Sequence, residues 1–102
     1  MVDIDAAHKQ KRYLDKTGKR DWIDKCANDM PMIEFNGAMF FTIGKYYQRL
    51  GKKDPEKMEL AKIEDYKARW IGVLVSCYCR SKAMAKDFVD AEIKRARKLA
   101  NE

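Results

Sequence analysis

Apolar positions recur along most of this chain at spacings of three and four residues, the period that returns side chains to one side of an α-helix, with no strand-like alternation. Trp22, Ile23 and Cys26 form a short stripe that predicts a helix beginning near Asp21, and Asn28-Asp29-Met30-Pro31 interrupts it. Pro31 fits only the opening turn of a following helix. That second helix is expected over about Met32 to Leu50, with Phe35, Met39, Ile43, Tyr46 and Leu50 facing inward and Phe40, Phe41 and Tyr47 widening the apolar surface. A helix so apolar belongs at the centre of a domain. Gly37 and Gly44 share one of its faces, each at a cost of about 1 kcal/mol relative to alanine, which close approach of a neighbour would offset.

Gly51-Lys52-Lys53-Asp54-Pro55-Glu56 is the clearest punctuation: a glycine stop, an Asp cap, a proline in the first turn and an early acid that suits the helix dipole. A third helix is expected from Pro55 to about Arg80, with Leu60, Ile63, Tyr66, Trp70, Val73 or Leu74, and Cys77 inward. Ser81 predicts a bend and the cap of a fourth helix, with Met84, Phe88, Ala91 and Arg95 on its inner stripe. The expected fold is all-α, a compact helical bundle of three to four helices around a central antiparallel helical hairpin. It forms a single helical domain over residues 1–102, with 1–20 as a polar, partly irregular N-terminal arm.

Composition sharpens this picture. At 102 residues the chain is long enough to bury one core without disulfides or a structural metal. A net charge of +6 makes a nucleic acid, a nucleotide or an acidic protein surface the natural partner, and counts against imitation of DNA. The cysteines, Cys26, Cys77 and Cys79, form no paired array and His8 is the only histidine, so neither a disulfide framework nor a metal site is expected. Cys77 and Cys79, two apart and so on different faces of a helix, read as small buried apolar side chains, and a reducing cytosol fits best. The longest apolar run, Trp70 to Val75, is far too short to cross a bilayer, so the expected location is cytoplasmic, with no membrane partner.

Lys45 and Arg49 stand one helical turn apart, and Lys52 and Lys53 follow in the basic turn. Arg49 offers a planar fork and the lysines mobile point charges, a set that suits a phosphate. A solvated basic face is the plainer reading and, on spacing alone, the commoner one. Glu59, Glu64 and Asp65 follow on the third helix, and Glu64 and Asp65 are the candidates for positioning a hydroxyl or a metal. No P-loop is present and no Ser-His-Asp or Cys-His set can be assembled, which excludes an ordinary P-loop kinase and the usual covalent hydrolases. Tyr46, Tyr47, Tyr66, Trp70 and Tyr78 could stack on a base, and Tyr46 joins the ligand-binding candidates, although aromatics at helical spacing are more often core and an exposed Tyr47 beside Arg49 would be needed to favour stacking.

The run Phe35-x-Gly37-x-x-Phe40-x-x-Ile43-x-Lys45-Tyr46-x-x-Arg49-x-Gly51-Lys52-Lys53 resembles the core of a family of small tailed-phage proteins of largely unknown function. The same core occurs in a podophage nucleotide kinase that phosphorylates deoxynucleoside monophosphates without a Walker motif. The resemblance extends upstream to Ile23-Asp24 and downstream to Lys67-Ala68-x-Trp70, and it adds Lys67 to the ligand-binding candidates. It implies a nucleotide ligand, with magnesium if the activity is a kinase. Two features depart: an early His-Tyr pair stands here as Arg12-Tyr13, and a Gly-Asn as Phe41-Thr42. If transfer needs those residues, the fold is kept and the activity lost.

Three functions follow as expectations. The first is a phage-type protein binding a nucleotide or another phosphate-bearing ligand, with nucleotide kinase activity as its finer form. The second is a non-enzymatic protein that binds and inhibits a host enzyme or defence complex in the host cytoplasm. The third, less favoured, is a basic nucleic-acid-binding protein using the N-terminal arm and the Lys94, Arg95, Arg97 and Lys98 cluster. Self-association into a homo-oligomer is expected from the apolar excess of the second and third helices.

Overall fold

Four helices are joined by short breaks, and the chemistry of each break explains where the helices stop. The structure is a computed structural model that describes residues 16, 19–52 and 54–102. Most of the expected N-terminal arm, with His8, Arg12 and Tyr13, and Lys53 of the basic turn lie outside the described residues. Helix α1 spans Trp22–Asp29, α2 Met32–Gln48, α3 Glu56–Ser76 and α4 Lys82–Ala100, with no strand among the described residues.

Asp21 caps α1 through a reciprocal box. Its carboxylate accepts from the Asp24 backbone N–H at 3.1 Å, and the Asp24 carboxylate accepts from the Asp21 N–H at 3.0 Å. Pro31 stands as the N-cap of α2, where its missing N–H costs nothing. Gly51 takes φ 75°, the left-handed conformation that glycine adopts without strain just past a helix end. The expected Asp54 cap of α3 is not made: Pro55 holds the cap position and Asp54 instead accepts a hydrogen bond from Lys62 at 3.1 Å.

The third helix ends at Ser76, four residues before Arg80, and the break at Cys77 to Ser81 leads into α4 with Ser81 as its cap, accepting from the Met84 N–H at 3.2 Å. Cys77 and Cys79 therefore leave the helix and are exposed, which overturns their reading as buried side chains; Cys26 is half-buried. Burial raises the Cys26 thiol above its ordinary value, with Asp29 and Asp21 adding to it, so this cysteine is held in its unreactive form.

Contacts between helices fix their directions. Asn36 meets Trp70 and Tyr46 meets Tyr66, so α2 and α3 are antiparallel, the hairpin the sequence predicts. Lys67 meets Asp90 and Trp70 meets Phe88, so α4 runs back along α3 and parallel to α2. Tyr78 donates to the Ala27 and Met30 carbonyls at 3.2 and 2.8 Å, and Arg69 grips Asp21, which lays the short α1 beside α3 in the same direction. The core lies between these helices and is built from Phe35, Met39, Ile43, Ile63, Trp70, Val73, Leu74, Ala85 and Val89.

All four stripes differ from expectation at some position, with Trp22 of α1 73% exposed and Leu60 of α3 40% exposed. On α4 the inward residues are Ala85, Val89 and Ala96, while Met84 and Phe88 are exposed. A Cβ added at Gly44 would stand 3.8 Å from the Ala96 Cβ, so α2 and α4 approach closely there and only small side chains fit between them. On α2, Phe41 is 73% exposed rather than buried, in line with exposed Gly37 and with Ile33, which is 80% exposed.

Arg69 is the most heavily engaged side chain in the interior. It is 3% exposed, yet its guanidinium donates both Nη groups to Asp21, Nη2 at 2.9 Å, and reaches Asp24 at 3.3 Å. Burial would push the Asp21 carboxyl up, but the hydrogen bonds from Arg69 and from the Asp24 backbone, with the Arg69 charge, outweigh it and hold the group below its ordinary 3.8. A folded value below the unfolded one contributes stability that is fully present above pH 3.8 and is lost as pH falls through the folded value. Acid unfolding should thus steepen below pH 3.8 in the wild type, and urea midpoints measured down through that range should fall less steeply in Asp21→Asn, which keeps the cap but cannot titrate. Parallel acid limbs would refute the assignment.

Candidate functional site

The end of the bundle where α2 stops and α3 starts collects cations around one aromatic ring and one buried acid. Arg49, the C-cap of α2, lies over the Tyr46 ring with its guanidinium carbon 4.6 Å from the centroid. The ammonium groups of Lys45 and Lys62 stand 5.8 Å from the same centroid, and Tyr66 packs against Tyr46 at 5.6 Å. An electron-rich ring face attracts such cations, so Tyr46 is a bed for the charges here. That differs from the base-stacking platform expected of it.

Beneath this layer Glu59 is 0% exposed. Its Oε1 lies 3.7 Å from the Arg49 Nε, close enough for charge attraction and too far for a hydrogen bond, and neither carboxylate oxygen has a hydrogen-bond partner. The Arg49 Nε is likewise buried and unbonded. The Nη atoms of Arg49 are not among the buried unbonded atoms and have no hydrogen-bond partner among the described residues, and the side chain is 29% exposed, so its fork opens outward. Lys62 bonds to Asp54, and that hydrogen bond is the main cause of an ammonium group held above its ordinary value, so it stays charged. Lys45 and Lys52 are exposed.

The sequence candidates therefore divide. Lys45, Tyr46 and Arg49 are brought together, and Lys52 follows in the turn, where its N–H donates to the Arg49 carbonyl at 3.0 Å. Lys67 is drawn elsewhere, paired with Asp90 of α4 at 3.0 Å. Glu64 and Asp65 are exposed on α3, and by helical geometry they stand about 140° and 120° around the axis from Glu59. The acid that faces Arg49 is Glu59 instead. Its signal was present in the sequence: Glu59, Ile63, Tyr66 and Trp70 follow the inward spacing, which makes Glu59 an acid in an apolar stripe.

The last turn of α4 reaches the same end, since the Arg97 guanidinium lies 6.0 Å from the Tyr47 ring centroid. Arg95 is committed within the chain, over Phe40 at 3.9 Å and bonded to Glu92 at 2.9 Å. Two of the four cations expected to form a nucleic-acid patch on α4 are thus in contact with the bundle itself.

No group of three or more His, Cys, Asp or Glu side chains lies together among the described residues, and no helix there is long and apolar enough to cross a membrane. On the opposite side of the bundle, Met32, Asn36, Leu74, Arg80, Met84, Ala85 and Phe88 line an open cleft of about 120 Å³.

A protein family described as a protein of unknown function, DUF3310, matches residues 7–68, more than half of the chain. The match contains α1, α2, the basic turn and the part of α3 that carries Glu59 and Lys62, and stops before α4. No curated protein and no solved structure matches the chain.

Proposed function

The chain belongs to the DUF3310 family, and from that premise we propose that the end of the bundle formed by α2 and α3 binds a phosphate-bearing ligand, with a nucleotide as the expected class. The observation that carries this reading is the outward fork of Arg49 on its Tyr46 bed, flanked by the exposed ammonium groups of Lys45 and Lys52. A planar fork matches two phosphate oxygens at once, and lysines on mobile stems add attraction without fixing geometry. All three cations fall inside the family match. The resemblance of this segment to the core of the podophage nucleotide kinase supports a nucleotide over a bare phosphate.

Phosphoryl transfer is the finer form of this reading, and Glu64 and Asp65 remain its acids by expectation, although they lie on other faces of α3. Magnesium fits poorly at the Arg49 corner. Glu59 faces a guanidinium and Asp54 an ammonium, and a cation would have to displace one of them. The chemistry proposed for these residues is therefore binding and orientation by fixed cations.

The test is titration calorimetry against inorganic phosphate, deoxynucleoside monophosphates and triphosphates. Saturable binding is expected. Lys45→Ala and Lys52→Ala should each weaken it about threefold, as befits exposed charges, and added salt should weaken it further. Wild-type protein that binds none of these probes would sink the reading. Weight would then pass to a protein partner, which the exposed line of Ile33, Gly37 and Phe41 on α2 favours.

A further inference from the structure

A carboxylate that is wholly buried and accepts no hydrogen bond is a costly feature, and natural proteins rarely keep one without a reason. Glu59 is such a group. Packing does not supply the reason, because an apolar side chain in this inward position would fill the space without the penalty of a buried charge. Neither does a good ion pair, since the approach to Arg49 is a single 3.7 Å contact at Nε and leaves both carboxylate oxygens without a hydrogen bond.

What Glu59 does accomplish is orientation. Arg49 is the last residue before the turn and carries a long, freely rotating side chain. Two contacts restrain it: the Tyr46 ring 4.6 Å from its guanidinium carbon, and the Glu59 carboxylate behind its Nε. With Nε drawn inward, the two Nη groups are the part of the guanidinium left toward solvent, which is the edge a phosphate would take.

We propose that Glu59 is the positioning residue of the Arg49 anion site, holding the guanidinium by its inner edge so that the outer fork is preorganised for a phosphate. The proposal rests on the phosphate-binding reading above. It makes a prediction opposite in sign to simple electrostatics. Removing a negative charge next to an anion site should strengthen anion binding if charge alone matters. If orientation matters, binding should weaken, because the fork loses the contact that aims it.

The experiment is calorimetric titration of inorganic phosphate and a deoxynucleoside monophosphate into the wild type, Glu59→Gln, Arg49→Lys and the double variant. Glu59→Gln keeps the shape and removes the charge. It should weaken binding about tenfold in the wild-type background and have little effect once Arg49 is lysine, since the orientation it provides acts through the fork. Glu59→Asp keeps the charge and withdraws the carboxylate by one methylene, so it too should weaken binding, and it serves if the Gln variant does not fold. Equal or tighter binding by Glu59→Gln, with Arg49→Lys clearly weakened, would overturn the positioning role and leave the phosphate site standing. Arg49→Lys binding as well as the wild type would overturn the site itself.

Discussion

Arg69→Met is expected to cost about 3–5 kcal/mol of unfolding free energy. The magnitude comes from what is left behind. Asp21 is buried, and with Arg69 gone it would face the interior without the guanidinium that pairs with it. Asp24 would lose its hydrogen bond from Arg69 at the same time. The capping box satisfies part of both carboxylates, and its backbone N–H groups do not neutralise them. Either α1 detaches from α3 or the carboxylates take up protons, and both routes lower stability near neutral pH. Urea denaturation would measure the loss. Asp21→Asn added to Arg69→Met should recover a substantial part of it, because asparagine caps a helix about as well as aspartate and carries no charge. Strict additivity of the two substitutions would show that no buried pair exists.

This cluster also shows where reading the sequence stops. Asp21 and Arg69 are 48 residues apart and no local pattern joins them. The helices themselves were legible, since α1 starts next to Asp21 as expected, α2 and α3 form where their apolar spacing placed them although α3 ends four residues early, and Ser81 caps α4. What misled was the assumption that the largest apolar residues face inward. On α4 that rule selects Met84 and Phe88, but the buried stripe is Ala85, Val89 and Ala96, and at Ala96 the approach of α2 at Gly44 leaves room for a small side chain only. The glycine carried the information, and only the partner helix gave it meaning. At the candidate site the basic residues could be named from spacing, whereas the choice among Glu59, Glu64 and Asp65 depended on which α3 face meets α2. The inward stripe decides that in favour of Glu59, and a bias toward reading acids as solvent-facing hides it.

The second large effect is expected at Arg49, where stability and binding are entangled. Arg49→Met removes the side-chain cation that, among the described residues, stands within ion-pair distance of Glu59, and should cost about 3 kcal/mol, unusually much for a residue that is 29% exposed. The cost belongs to Glu59: a buried carboxylate that already lacks hydrogen bonds would lose its ion-pair contact as well, with Lys62 left as a more distant charge. Glu59→Met in the same background should restore stability to the wild-type level or above it, since an apolar pair of similar volume carries no desolvation penalty. Phosphate binding should not return with it. Chemical denaturation and titration on the same four proteins separate the two properties, stability following the pairing of charges and affinity following the presence of the fork. A double variant that stays as unstable as Arg49→Met would show that the guanidinium acts through its stacking on Tyr46 and not through Glu59. The same experiment explains why Arg49→Ala alone is a poor probe of ligand binding here: it would lower affinity by unfolding the corner whether or not a phosphate ever sits there.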